Sequence, residues 1–201
     1  MSKIRSICVY CGSSTGNNPV YREAGLALGR SIAENDLRLI YGGGTKGIMG
    51  AVAEGVANAG GKVTGIIPTF LLNKEADGKT NPFLDEQIIT DNMHQRKQLM
   101  FERSDAFVTL PGGIGSVEEI VEMMTWAQLG HHKKPMVFAN INQFWQPMIA
   151  MLDHMRSEGF IHTGHRVQPK VIDRVEDIVP YIFEAAANGD AAGNEAIIAR
   201  M

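Results

Sequence analysis

A glycine-rich stretch in the middle of the chain has the residue types and spacing of an anion-binding site. It holds three glycines, Gly112, Gly113 and Gly115. The apolar run 106–110 before it predicts a buried strand, and apolar residues at helical spacing after it predict a helix. Backbone N–H groups in such a turn, together with the helix dipole, attract negative charge. Because Ser116 adds a hydroxyl group and Glu118 and Glu119 add carboxylates, the stretch predicts a site that holds a phosphate and acts on something attached to it.

The same residues fit a purely structural interpretation. Ser116-Val-Glu-Glu119 matches the S-x-x-E capping box, in which the serine caps the helix and the glutamate bonds back to the serine N–H. Acidic residues in a first helical turn are also ordinary partners of the helix dipole. Spacing alone leaves a capping Glu119 and a catalytic Glu119 equally open.

An arginine on the predicted helix 93–103 also has two interpretations. Arg96 shares a helical face with Met93 and Met100, so a cation interrupts an apolar stripe. In the first interpretation the Arg96 stem packs against apolar neighbours and its charged head stays in water. In the second, the guanidinium binds an anion or a carboxylate in a cleft. The residues alone favour the first interpretation.

Strands that alternate with helices must position these side chains. The strands that we predict are 6–11, 38–41, 62–67, 87–90, 106–110, 136–139 and 170–172. The helices that we predict are 21–35, a helix that opens from the turn 42–50 and runs to about 59, 93–103, the segment from the glycine-rich turn at 111–116 to 129, 144–158 and 175–188. The alternation predicts one α/β domain over residues 1–188, with three layers and a mostly parallel sheet covered on both faces.

Three polar or glycine-rich turns, at 12–19, 42–50 and 111–116, follow predicted strands. In sheets of this kind ligands bind outside the carboxyl ends of the strands, so we expect the three turns to converge on one site. Residues 69–86 predict an exposed excursion or lid, and residues 189–201 predict a loose tail.

Composition excludes several functional classes. Hydrophobic residues make up 44% and charged residues 20% of the 201 residues, which is neither a disordered nor a membrane composition. The formal net charge of −3 argues against a nucleic-acid-binding protein. No apolar stretch approaches the roughly 20 residues that span a bilayer. The first residues lack a signal-peptide pattern, so we expect a cytoplasmic protein without membrane partners.

The cysteine and histidine residues predict no metal site. Cys8 and Cys11 form a C-x-x-C in a predicted strand, where residues three apart point to opposite faces, so we expect two buried structural cysteines. We expect loop positions for four histidines, His131, His132, His162 and His165.

Two motifs resemble the signatures of a known family. Residues 111–119, PGGIGSVEE, resemble the PGGxGTxxE signature of the LOG (lonely guy) proteins, and residues 93–97, MHQRK, resemble their second motif. CGSS at 11–14, YGGG at 41–44 and GIMG at 47–50 are also similar. The resemblance covers about residues 5–180.

LOG proteins are phosphoribohydrolases that cut the N-glycosidic bond of nucleoside 5′-monophosphates, including cytokinin riboside monophosphates, and release free base and ribose 5-phosphate. The resemblance implies a Rossmann-like homodimer that needs no cofactor or metal, with AMP as a further substrate. It implies Arg96 and Glu119 as the catalytic pair. The substrate contacts that it implies are Ser14, Gly43, Glu75, Met93, Lys97, Gly112, Gly113, Ile114, Gly115, Ser116, Val117, Glu118 and Thr125.

Two positions differ from the family pattern. Ser116 replaces a threonine but keeps the hydroxyl group, so we expect phosphate binding to survive. Gln95 stands where relatives often have glutamate, on a different helical face from Arg96. Two other functions stay open. An old family label implies an amino-acid decarboxylase with pyridoxal phosphate on a lysine, and a nucleotide-binding or sensing protein would lack catalysis.

Overall fold

A parallel β-sheet forms the middle layer of the molecule. The computed structural model describes the backbone of residues 4–75, 81–161 and 168–198, and the side chains of residues 4–74, 81–161 and 168–188. The strands are β1 (Ser6–Tyr10), β2 (Arg38–Tyr41), β3 (Lys62–Pro68), β4 (Glu86–Thr90), β5 (Ala106–Thr109), β6 (Met136–Ala139) and β7 (Lys170–Ile172). They lie in the order β4-β3-β2-β1-β5-β6-β7, and every pairing between neighbours is parallel.

Helices cover both faces of this sheet. They are α1 (Val20–Glu34), α2 (Gly47–Asn58), α3 (Leu72–Glu75), α4 (Met93–Glu102), α5 (Ile114–Gln128), α6 (Gln146–Ser157) and α7 (Ile178–Ile198). Helices α1, α2 and α7 pack on one face, and α4, α5 and α6 pack on the other. Each residue of β1 is buried, as expected for a strand covered on both sides. The predicted three-layer α/β fold is confirmed.

The order of the strands changes direction at β1. The chain first adds β2, β3 and β4 on one side of β1, and then places β5 on the other side. This change leaves a crevice at the carboxyl ends of β1 and β5, which is where open α/β sheets bind ligands. The loop after β1 and the glycine-rich turn after β5 therefore meet at this crevice.

The two cysteines lie on opposite faces of the sheet, as predicted. Cys8 belongs to the core on the α4–α6 side and Cys11 to the core on the α1–α2 side. Both are buried and free. The C-x-x-C spacing thus serves packing on two faces.

The segment that follows β3 is less exposed than predicted. Asn81 is only 1% exposed, and its amide donates a hydrogen bond of 2.7 Å to the Tyr41 hydroxyl. Phe83 and Leu84 pack against the core beside it. The exposed excursion is therefore wrong at Asn81, whose polar side chain is satisfied by a buried hydrogen bond, whereas Pro82 and Asp85 are exposed as predicted. Residues 76–80 of the predicted lid lie outside the described residues.

The last helix is longer than predicted. Helix α7 continues to Ile198, so the expected end at residue 188 is wrong. Alanine is frequent between residues 185 and 196, and its high helix propensity outweighs the intervening glycines. No helix in the described part of the chain combines the length and apolar character that crossing a membrane would require.

Of the four histidines, His131 and His132 lie in the loop between α5 and β6, whereas His162 and His165 lie outside the described residues. His132 is 8% exposed. Its Nε2 lies 2.9 Å from the Met123 carbonyl oxygen, and its Nδ1 accepts a bond of 3.2 Å from the Lys134 N–H. These partners fit a neutral ring with its proton on Nε2.

We expect His132 to make stability depend on pH. Burial is the main cause that lowers the pKa of His132 below its usual value, and the charge of Lys134 adds to it. The unfolded chain therefore binds more protons than the folded protein below about pH 6.5, and stability falls as the pH falls through that range. In urea unfolding between pH 5 and 8, His132→Gln should flatten this dependence, whereas His131→Gln should leave it intact. An unchanged slope in His132→Gln would contradict the assignment.

Candidate active site

A cavity of about 340 Å³ opens at the crevice between the carboxyl ends of β1 and β5. The ends of β1 and β2 and the first turns of α4 and α5 form most of its wall. The predicted site residues that line it are Met93, Arg96, Gly113, Ile114, Gly115, Ser116, Glu118 and Glu119. The structure thus brings the two predicted catalytic residues to one cavity.

The first turn of α5 forms the part of this wall that the sequence predicts to bind an anion. Gly113 is the N-cap, without a side-chain cap, and the first helical hydrogen bond joins the Val117 N–H to the Gly113 carbonyl at 3.1 Å. The helix itself therefore provides no partner for the N–H groups of Gly115 and Ser116, which lie at the cavity. Ser116 stands three residues after the N-cap, so the capping-box interpretation of Ser116 and Glu119 is wrong.

Gly112 lets this turn approach the loop that follows β1. A Cβ at Gly112 would lie 2.2 Å from Ser116 Oγ and 2.9 Å from the Gly12 nitrogen. The Gly12 N–H donates to the Pro111 carbonyl at 3.1 Å, which joins the two loops directly. Only a residue without a side chain fits here.

Arg96 is held inside the protein by two backbone carbonyls. It is 4% exposed, its Nε donates to the Ile66 carbonyl at 3.1 Å, and its Nη2 donates to the Gly42 carbonyl at 3.0 Å. The interpretation with the charged head in water is therefore wrong. The carbonyls at the ends of β3 and β2 fix the plane of the guanidinium, and its positive charge stays at the cavity wall.

Two buried groups, Tyr10 and Cys8, feel the charge of Glu119. Burial raises the pKa of Tyr10 well above its usual value, and the charge of Glu119 adds to the effect. Burial, followed by the charge of Glu119, also raises the pKa of Cys8. Both groups therefore stay neutral at physiological pH and do not compete with Glu119 as bases.

Lys97 joins α4 to α5 and does not line the cavity. Its Nζ lies 2.5 Å from Glu118 Oε1 and 3.1 Å from Glu122 Oε1. Burial alone would lower the pKa of Lys97, but the hydrogen bonds to Glu118 and Glu122 outweigh it and raise that pKa. A direct substrate contact of Lys97 stays a prediction.

The other predicted contacts do not line the cavity. Thr125 is exposed on α5 and donates to the Val121 carbonyl at 2.8 Å. Val117 packs into the core. Gly43, with φ +79°, shapes the turn after β2, and Ser14 lines a neighbouring cavity together with Gly112. Glu75 ends α3, and its side chain lies outside the described residues.

Residues that were not among the individually predicted contacts also line the cavity: Val9, Cys11, Gly12, Ser13, Gly42, Met49, Leu71 and Met100. Gly12, Ser13, Gly42 and Met49 belong to turns that were predicted to converge here, and Met100 shares the helical face of Arg96, whereas nothing in the sequence singled out Leu71. The turn after β2 does not present its helix N-terminus to the cavity, because the Gly12 carbonyl accepts the N–H groups of Ile48 and Met49 at 3.0 and 3.2 Å. The turn after β2 therefore uses its helix N-terminus to bind the loop after β1 and not to line the cavity.

Gln95 has a structural role at the start of α4. The Asn92 side chain caps the helix by accepting the Gln95 N–H at 3.0 Å, and Gln95 Oε1 accepts the Asp91 N–H at 3.0 Å. The Gln95 amide oxygen thus accepts a backbone hydrogen bond that a glutamate carboxylate could also accept at this position. The described residues hold no group of three or more histidine, cysteine, aspartate or glutamate side chains that could bind a metal ion.

Comparison with known proteins identifies the family. A family model described as "Possible lysine decarboxylase" matches residues 49–182. A probable cytokinin riboside 5′-monophosphate phosphoribohydrolase of Oryza sativa subsp. japonica is 43% identical over 186 residues, which cover 89% of this chain and 81% of that protein. A cytokinin riboside 5′-monophosphate phosphoribohydrolase of Arabidopsis thaliana is 39% identical, with 89% and 86% covered. The chain belongs to the LOG family.

Solved structures show that the LOG fold is shared with other proteins. The molybdenum cofactor carrier protein of Chlamydomonas reinhardtii matches 92% of this chain and 99% of its own with a TM-score of 0.69, at 19% identity. The molybdenum cofactor binding protein of Rippkaea orientalis matches with a TM-score of 0.68, at 20% identity, and covers 92% and 98%. At such identities the likeness concerns the fold alone.

The family description of a lysine decarboxylase finds no support in the cavity of this LOG protein. Among the described residues that line it, none is a lysine. Lys97, the lysine of the motif at residues 93–97, is paired with two carboxylates on α5, those of Glu118 and Glu122. No described lysine is placed there to hold pyridoxal phosphate.

Proposed function

We propose that this protein hydrolyses the N-glycosidic bond of nucleoside 5′-monophosphates and releases free base and ribose 5-phosphate. Cytokinin riboside monophosphates and AMP are the substrates that we propose. One observation carries the proposal: the first turn of α5, the buried Arg96 and Glu119 share one cavity. The names of the relatives from rice and Arabidopsis support it.

The 5′-phosphate would lie on the first turn of α5. The N–H groups of Gly115 and Ser116, which have no partner within α5, would donate hydrogen bonds to it, and the helix dipole would add positive potential. Ser116 Oγ would supply a further hydrogen bond. The positive charge of Arg96 would attract the negative phosphate. A phosphate fixed in this way holds the ribose in one orientation against the wall that carries Glu119.

Cleavage of an N-glycosidic bond builds positive charge on the ribose, as in glycoside hydrolysis. The Glu119 carboxylate would stabilise this charge, hold ribose hydroxyl groups or activate the attacking water. Water then adds to C1′, and the base leaves with the bonding electrons and takes up a proton. Arg96 would orient the phosphate or Glu119, or stabilise charge on the leaving side.

The test is incubation of the purified protein with AMP and with isopentenyladenosine monophosphate, with free base followed by chromatography. We expect release of base from at least one of them, and its loss in Arg96→Ala. The ratio of the two rates gives the base preference. A folded protein that releases base from neither substrate would refute the proposal.

We also propose that the protein is a homodimer that pairs through α5. Four residues define an exposed α5 stripe, Ile114, Val121, Thr125 and Leu129, and the apolar members are 85%, 38% and 77% exposed in that order. The spacing of seven, four and four residues places them on one helical face. The stripe begins at the cavity, because Ile114 also lines it. A second copy on this stripe would allow Thr125, which does not line the cavity of its own chain, to contact a substrate.

Val121→Glu should convert the dimer into a monomer, because it places a charge in the centre of an apolar contact. Sedimentation velocity at micromolar concentration measures the change. Met151→Glu is the matched control, because Met151 is 53% exposed on α6, away from the stripe. A dimer that persists in Val121→Glu would contradict the use of this face.

A further inference from the structure

A second cavity, of about 300 Å³, lies on the other side of the glycine-rich turn. Gly12, Ser13 and Gly113 line both this cavity and the candidate active site. The two spaces are therefore neighbours along the same loops, and the N-cap of α5 stands between them. The proposed reaction places no part of a nucleoside monophosphate in the second cavity, although Ser14, Gly112 and Gly113, which line it, are among the implied substrate contacts.

Aromatic side chains form the outer wall of the second cavity. The rings of Tyr21 and Phe144 meet edge to face, with centroids 5.5 Å apart and an angle of 74° between their planes. Ile48 and Pro111 add apolar surface. Such a wall suits a flat aromatic ring, because every nucleobase has a face that stacks on aromatic side chains.

The backbone that carries Phe144 is strained and tightly held. Asn142 and Gln143, which precede it, have φ values of +51° and +58°, a region that residues other than glycine seldom adopt. Asn140 Oδ1 accepts the N–H of Trp145 at 2.8 Å, and the indole of Trp145 donates to the Thr109 carbonyl at 3.1 Å. Strain of this kind gathers at ligand-binding positions, where the surrounding structure fixes it.

We propose that the second cavity binds the second nucleoside of a dinucleotide whose pyrophosphate lies on the first turn of α5. The proposal rests on the proposed function and extends its substrates from nucleoside monophosphates to pyrophosphate-linked dinucleotides. In doubly wound α/β folds, dinucleotides lie across the crevice where the strand order reverses, with the pyrophosphate at a helix N-terminus. Here both cavities open at that reversal, one on each side of the N-cap.

The reaction in the first cavity is the same hydrolysis. Water adds to C1′ of the ribose beside Glu119, and the base leaves with the bonding electrons and takes up a proton. The pyrophosphate stays intact, so the products are one free base and a ribose diphosphate esterified to the second nucleoside. No oxidant, reductant or further reactant enters the balance.

The probe is P1,P2-diadenosine 5′-diphosphate, compared with AMP in the same assay of free adenine. We expect the wild-type protein to release adenine from both. Phe144→Ala should lower kcat/KM for the dinucleotide by roughly tenfold, as expected for loss of one stacked base, and change that for AMP by less than about twofold. Tyr21→Phe, which keeps the ring, should leave both values unchanged, whereas Tyr21→Leu should resemble Phe144→Ala.

Binding gives a second measurement that does not depend on turnover or on the variants. The ring of Trp145 lies 4.9 Å from that of Phe144, so a base in the second cavity should alter Trp145 fluorescence. In a Trp126→Phe background we expect the dinucleotide, and not AMP, to produce this change. Release of adenine from AMP, without turnover of the dinucleotide and without a fluorescence change, would overturn the subsite and leave the proposed function standing. Failure to release adenine from AMP would instead count against the proposed function.

Discussion

Replacement of Glu119 by glutamine should lower kcat by about 10²–10⁴-fold, the range that a positioned general acid or base contributes. The substitution keeps the shape of the side chain and removes its charge, so the ribose loses the carboxylate that would stabilise its developing positive charge. Nucleotide affinity should change little, because we propose that the phosphate is held by the first turn of α5 and not by Glu119. Calorimetry with AMP is practical in this variant, since the ligand is hardly consumed.

The matched control is Glu122→Gln on the same helix. Glu122 contacts Lys97 and does not line the cavity, so we expect nearly normal turnover. A Glu119→Gln protein that keeps most of its turnover would remove Glu119 from the mechanism. A protein that loses turnover and nucleotide binding together would indicate a structural role instead.

A single methyl group at Gly42 should disable Arg96. A Cβ at Gly42 would lie 2.0 Å from Arg96 Nη2, which already donates to the Gly42 carbonyl. The guanidinium has to move, and misplacement of a catalytic group by about 1 Å can cost about 10²-fold in rate. We therefore expect Gly42→Ala to lower kcat/KM for AMP by about that factor.

A double-mutant cycle separates this effect from general damage to the fold. If Gly42→Ala acts through Arg96, the double variant with Arg96→Ala should be no slower than Arg96→Ala alone. Thermal unfolding of each variant reports the effect on stability. Additive losses in rate would show that Gly42 matters for a reason other than Arg96.

Local patterns predicted most of the sheet because its strands are short apolar runs between polar turns. The predicted bounds of β2, β6 and β7 agree with the structure. The part of the site that we propose to bind phosphate could also be predicted from one short stretch, because its glycines and a helix N-terminus are adjacent in the sequence. The serine pattern offered Ser116 as one possible cap of α5, whereas the N-cap is Gly113, which has no side chain.

The environment of Arg96 could not be predicted from its own helix. Its partners are carbonyls of Ile66 and Gly42, which lie 30 and 54 residues away in the sequence. Whether an arginine head is buried depends on acceptors that only the folded sheet brings together. The burial of Asn81 against Tyr41, 40 residues away, follows the same rule.

The pairing of β1 with β5 has a consequence for how the protein acquires its site. The Arg5 N–H donates to the Asp105 side chain, 100 residues further along the chain, and Ile7 lies opposite Ala106. Closing so long a loop is entropically costly and slow, and it must precede the meeting of the two turns. During synthesis the first four strands therefore leave the ribosome before the site can exist. Nascent chains that end before β5 would expose an apolar edge of β1, which is a surface for chaperones or for aggregation.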